Sequence, residues 1–169
     1  MFPIKRRNWW LVIAVSVLIA IAHGSVMYIP IARAEESVEF TVYWSSSNSQ
    51  LTTGPKLTII NSDALGFVRS DNVLFNDLSF SSYCLWRIQP EGVQVHCYSK
   101  YMDADTHYFI IESMSGVGPK FLYGIGKFKG ITGAGLSHDY LDNFQKPIRQ
   151  GTNQGRVTLG MTYELPKAE

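Results

Sequence analysis

The side chains of this chain that could bind a metal or move a proton are concentrated near its middle. Five of them fall between residues 96 and 107: His96, Cys97, Asp103, Asp105 and His107. Adjacent residues on a strand point to opposite faces, so His96 and Cys97 do not serve one site. A calcium loop starting at Asp103 needs Gly at its sixth position and Glu at its twelfth, where this chain has Tyr108 and Met114. We therefore predict a hairpin turn here, and neither a metal ion nor another cofactor.

The sequence gives little support for a catalytic site. His138 and Asp139 are a His-carboxylate pair suited to proton transfer, but neighbours on a strand diverge, so a loop is the favoured interpretation. The G-x-S-x-G motif of a nucleophile elbow is absent from the sequence. The sequence thus identifies no catalytic residue and favours a protein that is not an enzyme.

Aromatic residues are numerous, with 9 Tyr, 9 Phe and 4 Trp. We predict that Trp86, Tyr108 and Tyr163, all in predicted strands, contact an apolar ligand. Glu112 ends the apolar run 108–111, so it either points inward as a polar ligand-binding group or outward into solvent. The alternative for all the rings is that they fill the core of a small barrel, which is only just wide enough for its own side chains.

Alternation of apolar and polar residues recurs after residue 35, and no window there has the apolar spacing of a helix. The clearest strand is 157–165, which Pro166 ends. Clusters of Ser, Asn and Gly at 45–49 and 151–155 are predicted turns. Other strands are predicted at 38–44, 57–61, 65–69, 80–89, 93–101, 106–114, 120–129 and 131–140. The pattern predicts one all-β domain, 35–169, folded as an antiparallel barrel or sandwich.

The only two cysteines lie on neighbouring predicted strands, 80–89 and 93–101. Matching the apolar faces of these strands places Cys84 opposite Cys97. Opposite residues of an antiparallel pair lie about 4.5–5.5 Å apart at Cα, a separation that a disulfide tolerates. We predict a disulfide worth about 3 kcal/mol. A three-residue turn at 90–92 would instead shift the register by one and leave two buried thiols.

The most distinctive run is the glycine-rich segment 124–135, with the sequence G-I-G-K-F-K-G-I-T-G-A-G. It lacks the Gly-Lys-Ser/Thr end of a phosphate loop, misses G-x-G-x-x-G by one residue, and is not followed by a predicted helix. The segment instead predicts a strand, a tight turn near residues 130–133 and a return strand, with glycines where the backbone packs closely.

This glycine-rich segment resembles the strand-turn-strand signature of the allene oxide cyclase and dirigent-like barrels, a calycin-like superfamily with many small exported bacterial proteins. The resemblance is strongest over about a dozen residues and fainter from residue 86 to 166. It implies an eight-stranded antiparallel barrel with an apolar interior, often dimeric or trimeric. Catalytic positions of that superfamily have no counterpart here residue by residue, so none is carried over.

The first 34 residues form a separate leader in the sequence pattern. The basic residues 5–7 precede 14 uncharged residues at 9–22, the pattern of a secretory signal. Cleavage after Ala22 or Ala34 is possible, and Ala34 is favoured because an acidic pair follows it. The alternative is an uncleaved anchor at 9–32, since about 20 apolar residues span a bilayer. Either way we predict a periplasmic or secreted domain, in contact with a membrane only through its N-terminal segment.

Charge separates the leader from the rest of the chain. Residues 1–34 hold four of the 15 Lys and Arg side chains and no acid, so the remainder carries 11 basic and 14 acidic groups. Phosphate binding needs concentrated Lys and Arg, so nucleic acid is not predicted as a partner.

Three functions remain open. The first is a non-enzymatic exported barrel that binds a small apolar ligand or another envelope component. The second is a cyclase or isomerase of the allene oxide cyclase-like type. The third is a structural module that assembles as a homo-oligomer. An empty apolar interior of about 300 Å³ or more would favour the first two functions, and a packed interior would favour the third.

Overall fold

The computed structural model describes residues 35–52, 54, 56–135, 142–149 and 151–166. All of them lie within the unit Ala34–Glu169. The predicted leader, with its cleavage sites at Ala22 and Ala34, falls outside the described residues. Among the residues described, no helix has the length and apolar character needed to cross a bilayer.

Strands make up most of the described chain, and every ladder between them is antiparallel. Their bounds are β1 Glu36–Thr52, β2 Thr58–Arg69, β3 Ser79–Gln89, β4 Gly92–Met102, β5 Tyr108–Met114, β6 Gly118–Ile125, β7 Asp142–Arg149 and β8 Thr152–Tyr163. A short 3-10 turn, Gly126–Phe128, follows β6. The predicted all-β antiparallel fold is confirmed.

The strands form one strongly curled sheet in the order β6-β5-β4-β3-β2-β1-β8-β7. In the described chain this sheet is an open half-barrel with β6 and β7 at its edges. Segment 132–135 lies between β6 and β8. It bridges them through Lys120↔Ala134, Thr132↔Glu164 and Gly135↔Met161. This segment and β7 pair with successive parts of the same edge of β8.

β1 and β2 are longer than the sequence pattern predicts. The serine-rich cluster 45–49, predicted as a turn, is the middle of β1, and the predicted strands 57–61 and 65–69 are a single strand, β2. Over residues 41–47, β1 pairs with β2 on one side and β8 on the other. Ladders on both sides hold this segment extended, because they satisfy its backbone groups whatever its intrinsic preference.

The C-terminal hairpin also differs from the prediction. The sequence pattern does not predict β7 at all, and it places a turn over 151–155, where β8 already begins at Thr152. β7 contains Pro147, and its register with β8 shifts between Pro147 and Arg149. Proline and an irregular register are typical of edge strands, whose alternation is weak in sequence.

Aromatic rings fill one end of the curled sheet. Phe75, on the loop between β2 and β3, is fully buried and lies at the centre of this cluster. Its ring centroid is 5.0 to 6.4 Å from those of Phe40, Phe109, Phe121, Phe128 and Tyr163. Stacked and edge-on contacts at these distances add to the stabilisation from buried area. A side chain from a loop therefore plugs this end of the fold.

β3 and β4 pair in the predicted register. Gln89 pairs with Gly92, so the turn does not shift the strands, and Cys84 lies opposite Cys97. Their Cα atoms are 4.1 Å apart and their sulfur atoms are bonded. The predicted disulfide is confirmed. A cystine indicates an oxidising, extracytoplasmic environment, because cytosolic thiols are kept reduced.

The glycine-rich segment 124–135 begins at the end of β6 and carries the chain alongside the last residues of β8. A Cβ added at Gly124 would lie 2.2 Å from the carbonyl oxygen of Phe128. At Gly133, where φ is +130°, it would lie 2.1 Å from the carbonyl oxygen of Thr162. Glycine is needed at both positions for close backbone approach, as predicted. The predicted return strand 131–140 consists of isolated bridges, and its residues 136–140 fall outside the described residues.

Candidate functional site

The four predicted ligand-binding residues lie on two opposite faces of the sheet. Trp86 and Tyr163 occupy positions on the inner face, which carries the core. On β5, Phe109 is buried in the core, so alternation places Tyr108 and Glu112 on the outer face. The structure therefore does not bring the four residues together in one site.

Tyr163 belongs to the closed aromatic core. Its hydroxyl donates a hydrogen bond to the Glu36 carboxylate and accepts one from Nδ2 of Asn72 at 3.2 Å. Burial, with the bond to Glu36, raises the pKa of Tyr163. Its ring is buried and its polar atom is satisfied, so Tyr163 acts as a packing residue here.

The inner face beyond the aromatic core is lined by small side chains. Ser46, Ala64, Ser82 and Ser99 are consecutive cross-strand partners on β1 to β4, and we call them the serine band. Ser46 and Ser99 are buried, and the hydroxyls of Ser82 and Ser99 are hydrogen-bonded at 2.8 Å. Trp86 lies further along β3, toward the turn, and is half-buried. Ala64 packs against the aromatic core and Ser46 and Ser99 are shut off from solvent, so the serine band borders the packed core.

Glu112 lies on the outer face, yet its side chain is only 12% exposed. Its Oε1 atom accepts hydrogen bonds from the Tyr98 hydroxyl at 3.0 Å and from Nε2 of His96 at 2.9 Å. Its Oε2 atom is 2.9 Å from Nζ of Lys120. Tyr98 and Lys120 are its direct cross-strand partners on β4 and β6. The carboxylate therefore joins three strands instead of standing free in solvent.

These contacts determine the acid–base chemistry of Glu112. The pKa of Glu112 is lowered from its usual 4.5 to about 2 by its side-chain hydrogen bonds. The bond from Lys120 has the largest effect, followed by those from His96 and Tyr98. The hydrogen bond to this carboxylate raises the pKa of Tyr98. A carboxylate with so low a pKa is a poor proton acceptor near neutral pH, where a general base needs a pKa close to the working pH. The cluster is suited to holding strands together.

Tyr108 lies outside the core on the same outer face. Nζ of Lys100 is 4.2 Å from the centroid of its ring, a cation–π contact. A side-chain hydrogen bond between Tyr123 on β6 and Tyr108 raises the pKa of Tyr123. Tyr108 is thus held by neighbours on both sides.

The stretch near residue 103 is the turn between β4 and β5. One carboxylate oxygen of Asp103 accepts the backbone N–H groups of Asp105 and His107, each at 2.9 Å. The other oxygen is 2.9 Å from Nζ of Lys127. Donor atoms of Asp103, Asp105 and His107 lie within 4.8 Å of one another. Because Asp103 is neutralised by Lys127 and caps the turn, these contacts account for its conformation. His138 and Asp139 fall outside the described residues.

An open depression of about 740 Å³ lies on the outer face of β2, β1 and β8. Residues whose side chains point to this face surround it: Tyr43, Ser45, Leu65, Phe67, Gln154 and Arg156. Trp44, Gly66 and Gly155, whose positions face inward, complete its lining. We call this the outer depression.

The apolar side of the outer depression is exposed. The rings of Tyr43 and Phe67 are stacked with centroids 5.1 Å apart. Tyr43 is 37% exposed, Phe67 48% and Leu65 67%. Apolar side chains scattered singly on a surface need no explanation, whereas these three form a contiguous group beside a depression. These three residues are direct or diagonal neighbours across β1 and β2.

A second depression, of about 670 Å³, lies beside the loop that follows β2. Its lining is mainly polar, and the polar groups bond to one another. The hydroxyl of Ser70 donates to the carbonyl oxygen of Glu39 at 2.6 Å, and Arg69 forms an ion pair with Asp77 at its margin. These bonds stabilise the conformation of the loop.

Sequence reasoning missed the outer depression. The alternation in 38–44 already places Tyr43 on the face opposite the core residue Val42. Its neighbour Phe67 is set by the β1–β2 register, which depends on the serine-rich half of β1 being a strand.

The chain was compared with protein-family models, with curated proteins and with solved structures, and no match was found in any of the three.

Proposed function

We propose that this chain is an exported, non-catalytic protein that binds a small apolar ligand, or the apolar part of an envelope component, in the outer depression. The observation that supports this proposal is the exposed group of Tyr43, Phe67 and Leu65 beside about 740 Å³ of open space. Export is supported by the N-terminal sequence and by the cystine.

The proposed site lies outside the curled sheet because the interior is occupied. Phe75 and its neighbouring rings fill one end, and the serine band closes the inner face next to them. A ligand pocket needs concave space with apolar walls and a few polar groups. The outer depression provides such a space, with apolar side chains on β1 and β2 and polar ones on β8.

We also propose that the chain folds as a barrel of the allene oxide cyclase and dirigent-like type. Its support is the resemblance of the glycine-rich segment 124–135, together with the position of residues 132–135 between β6 and β8. In this proposal, segment 132–135 completes the ring that the strand ladders leave open. The cyclase or isomerase alternative stays a prediction, and the low pKa of Glu112 gives it no support.

A second candidate function is a structural module that assembles through the same apolar group. The aromatic rings buried around Phe75 favour it, because contacts with a partner must then use apolar side chains that lie on the outside. Size-exclusion chromatography with light scattering distinguishes the two. Assembly predicts an oligomer that Leu65→Ser dissociates, whereas ligand binding predicts the same mass for the native protein and the variant.

Fluorescence titration of the exported domain with N-phenyl-1-naphthylamine, an uncharged apolar probe, tests the binding proposal. Leu65→Ser should weaken the probe's affinity about fivefold, because it removes an apolar contact worth about 1 kcal/mol. Leu122→Ser is the matched control, since Leu122 is an exposed leucine on β6, away from the depression. Equal affinities for Leu65→Ser and the native protein would contradict the proposal.

A further inference from the structure

Exposed aliphatic side chains collect at one end of the curled sheet. Alternate connections of an antiparallel meander lie at the same end, so the β1–β2, β3–β4 and β5–β6 turns lie together. The loop that carries Phe75 lies at the other end. Leu51, Ile88, Val93 and Val117 lie at or beside the three turns and are 38 to 59% exposed. We call these four residues the aliphatic rim.

Strand register places the members of the aliphatic rim at nearly one level. Consecutive cross-strand partners join the ends of four strands: Thr52, Thr58, Ile88 and Val93. Leu51 directly precedes the first of them. The backbone N–H of Ser115 donates to the carbonyl oxygen of Val95 at 2.9 Å, which holds Val117 beside the end of β4. Neighbouring strands are about 4.8 Å apart, so the aliphatic rim extends over about 20 Å.

The side chains of this end match a bilayer better than a folded protein. Protein interfaces are enriched in aromatic side chains, Met and Arg, whereas the aliphatic rim holds only Leu, Ile and Val. Trp86 shares the face of β3 with Ile88, two residues further from the turn, and is half-buried. An indole ring prefers the level of the lipid head groups. Aliphatic tips with a tryptophan behind them therefore follow the order of the acyl and head-group layers.

Charge complementarity favours an anionic bilayer. Among the described residues of 50–58, 87–94 and 114–118, the charged side chains are Lys56, Arg87 and Glu91, and all three are exposed. Their sum is one positive charge. Each basic side chain close to an anionic leaflet adds attraction, so this end is drawn to such a surface.

We propose that the aliphatic rim docks the exported domain onto the surface of an anionic phospholipid bilayer, with Lys56 and Arg87 near the lipid phosphates. Docking is weak and reversible, because each side chain of the rim has only about half of its area left to bury. The sequence pattern predicts membrane contact through the N-terminal segment alone, and the rim is a second contact. It lies apart from the outer depression and does not depend on the ligand proposed there.

Quenching of tryptophan fluorescence by brominated phosphatidylcholine in vesicles tests the proposal. The exported domain, in which all eight strands lie, holds two tryptophans, Trp44 and Trp86, since Trp9 and Trp10 belong to the leader. In Trp44→Phe the signal comes from Trp86, two residues from Ile88. Lipid should quench this signal. Adding phosphatidylglycerol should raise the partition coefficient about fivefold, the effect of one net charge.

A matched pair of variants locates the contact in vesicles of phosphatidylcholine alone. Val117→Glu should weaken partition about tenfold, because it places a charge where an apolar side chain meets lipid. Val73→Glu makes the same change on the loop at the opposite end, where Val73 is 84% exposed, and should leave partition unchanged. Leu65→Ser, in the outer depression, should also leave it unchanged. Failure of the rim and failure of the ligand site are thereby distinguished.

Each outcome decides for or against the rim. Absence of quenching at millimolar lipid, or equal weakening by Val117→Glu and Val73→Glu, would overturn the proposal. Binding that requires phosphatidylglycerol and ignores Val117→Glu would overturn insertion of the rim. A native dimer that Val117→Glu dissociates, without quenching by lipid, would assign the rim to a second copy of the chain. Val117→Ser, which should weaken partition about threefold, keeps the test valid if Val117→Glu unfolds.

Discussion

The two aromatic groups of this molecule lie on opposite faces of one sheet and differ in what surrounds them. Phe75 is enclosed by five rings and has no solvent exposure. Tyr43 and Phe67 stack on each other, the guanidinium of Arg69 lies 5.5 Å from the centre of the Phe67 ring, and both rings remain partly exposed beside an open depression. Aromatic content alone does not separate a packing role from a binding role. The face of the strand on which a ring lies does.

The polar groups show the same contrast. On the inner face, buried hydroxyls such as Ser82 and Ser99 bond to each other. On the outer face, Glu112 is held by three side chains from β4 and β6, whereas Gln154 on β8 lies at the margin of the outer depression. The outer face therefore contains both a closed cluster and an open one, and substitutions can test them separately.

The largest expected effect on stability follows substitution of Phe75, the residue at the centre of the buried aromatic cluster. Phe75→Ala should lower the free energy of unfolding by about 3–5 kcal/mol, because it removes the ring at the centre of the core and leaves a cavity. Urea unfolding followed by tryptophan fluorescence measures the change. A loss below about 1 kcal/mol would show that the core does not depend on this loop residue.

Removal of the disulfide should have the next largest effect. The double variant Cys84→Ala, Cys97→Ala should lose about 3 kcal/mol of stability, because the unfolded chain regains the freedom of a 13-residue loop. Its affinity for N-phenyl-1-naphthylamine should not change, since the bond lies on the inner face of β3 and β4. A drop in probe affinity would mean that the two faces are coupled.

Acid should weaken the closed cluster on the outer face. The folded pKa of Glu112 is about 2, below its usual 4.5, so the carboxylate contributes stability above about pH 4.5 that is lost as the pH falls toward 2. Glu112→Gln should flatten the dependence of the urea midpoint on pH over this range. Glu91→Gln, in the β3–β4 turn, is the control and should leave the dependence as it is. An unchanged profile in Glu112→Gln would refute the assignment.

Phe67→Ser should have the smallest effect on stability. It is also the sharpest test of the contrast between the buried aromatic cluster and the exposed pair of rings. Because the ring is 48% exposed, the free energy of unfolding should fall by less than about 1 kcal/mol. The same substitution should weaken probe binding severalfold, since it removes one of the two stacked rings. Calorimetry and the fluorescence titration measure the two quantities on one sample. A large stability loss would place Phe67 with the packing residues instead.

Much of the fold could be predicted because local alternation reports which face of a strand is buried. The β3–β4 hairpin is the clearest case, since matching two apolar faces also determined the partner of Cys84. The serine-rich half of β1 was predicted wrongly as a turn, because its extended conformation depends on ladders to β2 and β8. β7 was missed for a related reason, since an edge strand has little alternation to detect.

The candidate site was harder to predict than the fold. Trp86 and Tyr163 lie on the inner face and Tyr108 and Glu112 on the outer face, and the sequence pattern left the direction of Glu112 open. The outer depression depends on three strands in register, with Phe67, Tyr43 and Arg156 side by side although residues 43 and 156 are far apart in sequence. Such neighbours are invisible to any pattern read along a single strand.

Segment 132–135 gives the molecule one weak seam. It contacts β6 through two backbone hydrogen bonds, from Phe121 to Gly133 and from Gly135 to Pro119, whereas long continuous ladders join β1 to its neighbours. Local opening takes place where the fewest bonds must break. Fewer hydrogen bonds must therefore break to open this junction than to separate β1 from β2 or β8, and its opening gives solvent a route to Phe121 and the rings behind it.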